Sequence, residues 1–170
     1  VSYRLTAQNP TAKRVVEGAA KSWNDLRVGI HLRKAHRGSR ADITIHLRRN
    51  LRHGVRPVAG YADLPNGNRR LTMFLDASLF EWTPTASSTS WRQASALSVA
   101  AHEFGHNLGL KHSDPARCSV MNYTYPTRCQ PTAEPLYGDE CSPTTLDRRR
   151  LLEKYGRRKG NVRFWNCTDL

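Results

Sequence analysis

Apolar and polar residues alternate from Val1 to Thr6 (V-S-Y-R-L-T), a period of two that predicts a strand, closed by the Asn9-Pro10 turn. From Thr11 to Asn24 the period changes. Ala12, Val15, Val16, Ala19, Ala20 and Trp23 recur at helical spacing and predict one amphipathic helix. Alternation returns at Val28–Arg33 and at Ala41–Leu47 (A-D-I-T-I-H-L), which predicts two more strands, and Leu71–Leu75 (L-T-M-F-L) is a fourth strand candidate. Between them, residues 50–70 are rich in Gly, Pro, Asn and Arg, and Asn66-Gly67 marks a turn. Ser90–Leu108 has no proline and many alanines and predicts a second long helix. The stretch from Lys111 to Pro143 holds five prolines and three cysteines and reads as loop. A final helix is expected from a Ser142 or Thr144 cap, through Leu146, Leu151 and Leu152, to Gly156. There are no internal repeats. The pieces predict a single domain over 1–170, with an N-terminal lobe of about 1–109 and a C-terminal lobe of about 110–170.

Length and composition narrow the class. A chain of 170 residues with 38% hydrophobic and 24% charged residues can bury one ordinary core. No apolar run reaches the ~18–20 residues of a membrane helix, so no membrane span is expected. The charge changes the picture more. With 27 Lys and Arg against 14 Asp and Glu, the net charge is +13, which brings anionic partners and nucleic acid into consideration. The strong motifs of nucleic-acid modules are absent: there is no zinc knuckle, no RNP aromatic pattern and no Gly-x-x-Gly clamp.

Cys118, Cys129, Cys141 and Cys167 all lie in the last third of the chain. An even number in one region reads as two disulfides, because their spacing offers no C-x2-C knuckle for a four-cysteine zinc site. Disulfides imply an oxidising compartment. The chain begins at Val1 and shows no charged-then-apolar leader, as expected of a processed, exported product. A secreted, extracellular protein is expected.

The chemistry lies at the end of the second helix, in H-E-F-G-H-N-L-G-L-K-H, residues 102–112. His102 and His106, four apart, project from one helix face and can share a metal ion. Glu103 stands next to the first ligand, within reach of a water in the metal's open position. Zinc lowers the pKa of such a water to ~7, and a carboxylate can take its proton and pass it to a leaving amine. Gly109 supplies the strained turn that would bring His112 back under the metal. One catalytic zinc ion is expected, held by His102, His106 and His112. A basic binding protein with a structural zinc would need a fourth ligand, and none stands at motif spacing. An inactive relative used for adhesion would have no need of Glu103, which is intact.

This helix, followed by Ser119-Val120-Met121-Asn122-Tyr123, resembles the metzincin zinc peptidases. H-E-F-G-H-x-L-G-L-x-H-S is similar to the matrixin version of the helix, and S-V-M-x-Y to the serralysin and astacin version of the Met-turn. The small size, with a cysteine on each side of that turn, is also similar to snapalysin-type secreted bacterial proteases, which have Asp where His112 stands. The motifs cover roughly residues 94–125. The resemblance implies an α+β fold, a twisted and largely parallel mixed sheet with two long helices, and a loop-rich C-terminal lobe ending in a helix. It implies a zinc endopeptidase acting on proteins or peptides, with Glu103 as general base and then acid. Met121 would form an apolar floor, and Tyr123 would reach the metal or the oxyanion, with Tyr125 as the fallback. It further implies that Leu71–Leu75 is the upper rim of the cleft and that residues 123–128 line the S1′ pocket. Under it, Cys118 would pair with Cys129 and Cys141 with Cys167. Neither a calcium loop nor a matrixin-type structural zinc segment is evident. Asp114 has no assigned role, and His31, His36, His46 and His53 read as surface residues.

Seventeen of the 27 cations fall in two stretches, nine in residues 27–56 and eight in 148–163, each with a single acid. Two readings stand: a surface for anionic polymers or acidic substrates, and a solvated face that favours solubility. The chain is expected to act as a monomer.

Overall fold

The computed structural model describes residues 1–67, 70–81, 89–114, 118–122 and 142–165. Tyr123, Tyr125, the S1′ segment 123–128, Cys129, Cys141 and Cys167 lie outside the described residues.

Strand β1 (Ser2–Leu5) leads into helix α1 (Pro10–Asp25), where Pro10 opens the first turn and the Asn9 side chain accepts a bond from the Ala12 amide at 2.9 Å. The predicted apolar face of α1 is the one buried: Ala12, Val15, Val16, Ala19, Ala20 and Trp23. Short strand β2 (Arg33–Lys34) and the longer β3 (Ile43–Arg48) follow, then the hairpin of β4 (Arg52–His53) and β5 (Arg56–Pro57). Next come β6 (Gly60–Ala62), β7 (Leu71–Asp76), a 3-10 turn (Ala77–Phe80) and helix α2 (Thr89–Asn107). Helix α3 (Thr145–Tyr155) begins at a capping box in which Thr144 and Asp147 bond each other's backbone. The fold is α+β, with a mixed five-stranded sheet in the order β2-β1-β3-β7-β6; β2, β1, β3 and β7 run parallel and β6 antiparallel to β7.

Two expectations are corrected. The strand predicted over Val28–Arg33 shrinks to Arg33–Lys34. Its inward alternation is real, since Val28 and Leu32 are buried. However, the Asn24 side chain takes both the amide and the carbonyl of Leu32 at 2.7 Å, and Val28 pairs instead with Arg157. The second correction concerns the cleft. Leu71–Leu75 is not the rim, because β7 lies between β3 and β6, and the edge is Gly60–Ala62, inside a stretch that reads as turns. β6 has three half-buried residues and no alternation of its own. Its pairing to β7, Gly60 with Leu75 through Ala62 with Met73, creates it.

The core lies between the sheet and the two long helices. Ile43, Ile45, Met73 and Leu75 from the sheet meet Ala96, Leu97, Ala100 and Phe104 from α2, and Tyr3 packs edge-on against Phe104 at 5.5 Å. The Trp23 indole donates to the Ala101 carbonyl at 2.9 Å and so fixes α1 against α2. No helix among the described residues is long and apolar enough to cross a membrane.

Candidate active site

Helix α2 ends in a Schellman motif. The Leu110 amide bonds the Gly105 carbonyl at 2.9 Å and the Gly109 amide bonds that of His106 at 2.7 Å, with Gly109 at φ 83°. This is the turn expected of Gly109, and it brings His112 back beneath the helix. The Nε2 atom of His106 stands 3.1 Å from that of His102 and 3.2 Å from that of His112. Two nitrogens on a tetrahedral zinc, each ~2.0–2.1 Å from the ion, would stand about 3.3 Å apart, so the spacing suits that ion.

The tautomers agree. Nδ1 of His102 faces the Val120 carbonyl at 2.7 Å, and Nδ1 of His106 faces that of Leu110 at 2.8 Å. A carbonyl only accepts, so the proton sits on Nδ1 and each Nε2 presents a lone pair. Burial, reinforced by the other imidazoles, holds His102 down at about 4, and burial also lowers His106 and His112. Imidazoles kept neutral, with converging ring nitrogens, are suited to a cation. Together they form a group able to hold a metal ion.

Glu103 is 4% exposed, and its Oε2 has no hydrogen-bond partner. Burial pushes its carboxyl up to about 8, and a cation at the imidazoles would draw it back down. The close approach of β6 leaves just enough room for this side chain: a Cβ on Gly60 would stand 2.8 Å from Glu103 Cγ and 2.9 Å from Oε1. Asn107 ties α2 to the end of the same strand segment, its amide donating to the Asp63 carbonyl at 2.8 Å. The three histidines and Glu103 line a cleft of about 570 Å³ with Gly60, Tyr61 and Ala62 of the sheet edge. His53, read from sequence only as a surface residue, also lines it and packs against Tyr61 at 5.6 Å. His31 and His36 are exposed, His46 stacks on Phe74 at the sheet surface, and Asp114 is exposed.

Met121 is fully buried against Gly105, the residue before His106, where a Cβ would come within 2.2 Å of its sulfur. The turn that carries it is held by residues sequence reasoning missed. Asp147, itself fully buried, accepts from the Val120 amide at 3.0 Å, from the Thr144 amide at 2.9 Å and from the Ser119 hydroxyl. Arg150 donates to Ser113 Oγ and to the Lys111 carbonyl, both at 2.7 Å, and so clamps the segment bearing His112. Tyr155 bonds the Leu108 carbonyl at 3.0 Å. Helix α3 thus supports the site from below. The S/T-x-x-D capping signal marks Asp147 in the sequence, but only as a helix cap.

Compared with known proteins, residues 1–141 match the family described as Matrixin, whereas no curated protein matches the chain.

Proposed function

The chain belongs to the matrixin family of zinc metalloendopeptidases, and from that premise we propose that His102, His106 and His112 hold its zinc ion and that Glu103 is the general base. The observation that carries this reading is the convergence of three imidazole nitrogens in a cleft that also holds a buried carboxylate oxygen with no partner. Zinc bound there supplies a Lewis acid for the scissile carbonyl. Glu103 takes a proton from the attacking water and delivers it to the leaving amine nitrogen. The Tyr123 hydroxyl donates to the oxyanion of the tetrahedral adduct, with Tyr125 the alternative donor. The Schellman turn fixes the third histidine, and the two carbonyls at Nδ1 fix the tautomers of the other two.

Substrate is an extended protein segment laid along β6, the last strand of the sheet among the described residues, which borders the cleft; this mode uses backbone bonds and tolerates many sequences. The chain acts as one catalytic domain and as a monomer, its two lobes dividing after Gly109. It works outside the cell. Cys118 is disulfide-bonded, which supports an oxidising destination, and Cys129 is its proposed partner, with Cys141 joined to Cys167.

Digestion of a mixed peptide library by the zinc-loaded protein tests this reading. Internal cuts that stop on chelation are expected, whereas trimming from chain ends alone would contradict an endopeptidase.

A second test concerns the sheet edge. Gly60→Ala would press a methyl group into the Glu103 side chain, which can move, and against Val99 Cγ1 at 3.0 Å. Misplacing the base is expected to lower kcat tenfold to about a hundredfold. The urea midpoint should fall modestly, the usual cost of overpacking, because the displaced atoms belong to side chains and not to the backbone. Unchanged kcat would show that β6 does not position Glu103.

A further inference from the structure

The two cationic stretches of the sequence, far apart along the chain, meet in the fold on a surface the catalytic reading does not use. Val28 and Arg157 form an antiparallel bridge, the Gly29 amide bonds the Gly156 carbonyl at 2.7 Å, and the Arg158 amide bonds that of Arg27 at 2.9 Å. The contact is close: a Cβ on Gly29 would lie 1.7 Å from the Tyr155 carbonyl oxygen. Arg27, at φ 52°, is held there by its Nε bond to the Asn161 carbonyl at 3.2 Å. Around this seam stand Arg27, Arg33, Arg157, Arg158 and Lys159, none of which enters an ion pair among the described residues.

Two further observations single the cluster out. Arg157, Arg158, Lys159 and Gly160 line a hollow that shares no residue with the catalytic cleft. Arg158 lines it, and its Nη1 is buried with no hydrogen-bond partner, an arrangement that costs stability and leaves a donor of this guanidinium unsatisfied. Partial burial, together with the charges of Arg158, the N-terminal ammonium, Arg27 and Arg33, lowers the pKa of His31, which thus has cations of both stretches among its neighbours. The acid Arg27 acts on, Asp25, is already occupied by Lys21 at 2.5 Å and by the Trp165 indole at 2.8 Å. Four of the five cations are arginines, whose planar forks match oxyanions in a way an ammonium does not.

We propose that this seam is an oxyanion-binding site through which the enzyme docks on an anionic surface polymer other than nucleic acid, one bearing repeated phosphate or sulfate groups. One such group would accept from Arg158 in the hollow, and its neighbours along the polymer would meet Arg33, Arg157 and Lys159. Docking there leaves the cleft open and raises the local concentration of protein carried on the same surface.

The test is binding of the zinc-loaded chain to long-chain inorganic polyphosphate and, separately, to heparin, across a salt series. Three exposed seam charges are removed in one variant, Arg33→Gln with Arg157→Gln and Lys159→Gln. A control removes three exposed charges elsewhere, Arg52→Gln with Arg56→Gln and Arg70→Gln, so both variants carry the same net charge. The seam variant should lose at least tenfold in affinity for at least one polymer, and its log-affinity slope against log salt should flatten by about 2–3. The control should lose less than threefold, and cleavage of a short uncharged peptide should stay at the wild-type rate in the seam variant. Which polymer responds identifies phosphate or sulfate as the recognised group. Equal losses in the two variants would reduce the effect to net charge and overturn the site. Equally tight binding of single-stranded DNA, lost in the same variant, would overturn the surface-polymer assignment in favour of nucleic acid.

Discussion

Replacing Glu103 by glutamine is expected to cut peptide cleavage by about 10²–10⁴ while leaving zinc in place, the usual scale for loss of a general base. The expected loss is large because no described group can stand in for it. Glu103 is the one acid among the residues lining the cleft in the described structure. Its Oε2 is buried without a partner. The amide fits the same space beside Gly60 but cannot accept and return a proton. Stability should hold or rise slightly, because a buried carboxyl without a partner is a cost to the fold. Steady-state kinetics with metal analysis of the same sample checks both halves. Loss of activity together with zinc would mean that the substitution had damaged the site and would leave the role of the base to be sought elsewhere.

The second large effect is expected at Asp147, far from the zinc helix in sequence. Asp147→Ala would strand the Ser119 hydroxyl and the Val120 and Thr144 amides, and would remove one half of the capping box of α3. Buried donors left without acceptors cost about 1–3 kcal/mol each, so a total loss of about 3–5 kcal/mol is expected by urea unfolding. The consequence reaches the metal. Val120 offers its amide to Asp147 and its carbonyl to Nδ1 of His102, so one residue links the carboxylate to an imidazole. The milder Asp147→Asn should fold, keep one acceptor oxygen and weaken zinc affinity by about 10–100-fold, the range seen when groups orienting metal ligands are lost. Wild-type zinc affinity in a folded Asp147→Asn protein would confine Asp147 to stability.

Much of this site was legible in the sequence because its residues are local. His102, Glu103, His106, Gly109 and His112 lie within eleven positions, and helical geometry with one glycine turn fixes their relation. The long helices were legible for a similar reason, since Ala12 through Trp23 write their buried face in a period of 3.6. What the sequence hid depends on distant pairing. β6 has no pattern of its own, so the rim of the cleft was assigned to β7, one strand too far into the sheet. Val28–Arg33 alternates as a strand should, but the Asn24 amide had already claimed the backbone at Leu32. Asp147 completes the capping box that Thr144 opens, yet its buried oxygens also hold the Met-turn, which no local pattern announces. The excess of positive charge is another case of distant pairing. Two runs separated by more than 90 residues of chain become one surface only through the bridge between Val28 and Arg157.

The central claim is a peptidase whose activity depends on one zinc ion held by three histidines. Its most direct test is a zinc titration of the chelated protein, with cleavage rate and bound metal measured at each step. Activity should be absent at zero zinc, rise in proportion to metal bound and level off at about one equivalent per chain, whereas the His106→Ala protein should stay inactive throughout. Full cleavage by a protein shown to hold no metal would contradict the account.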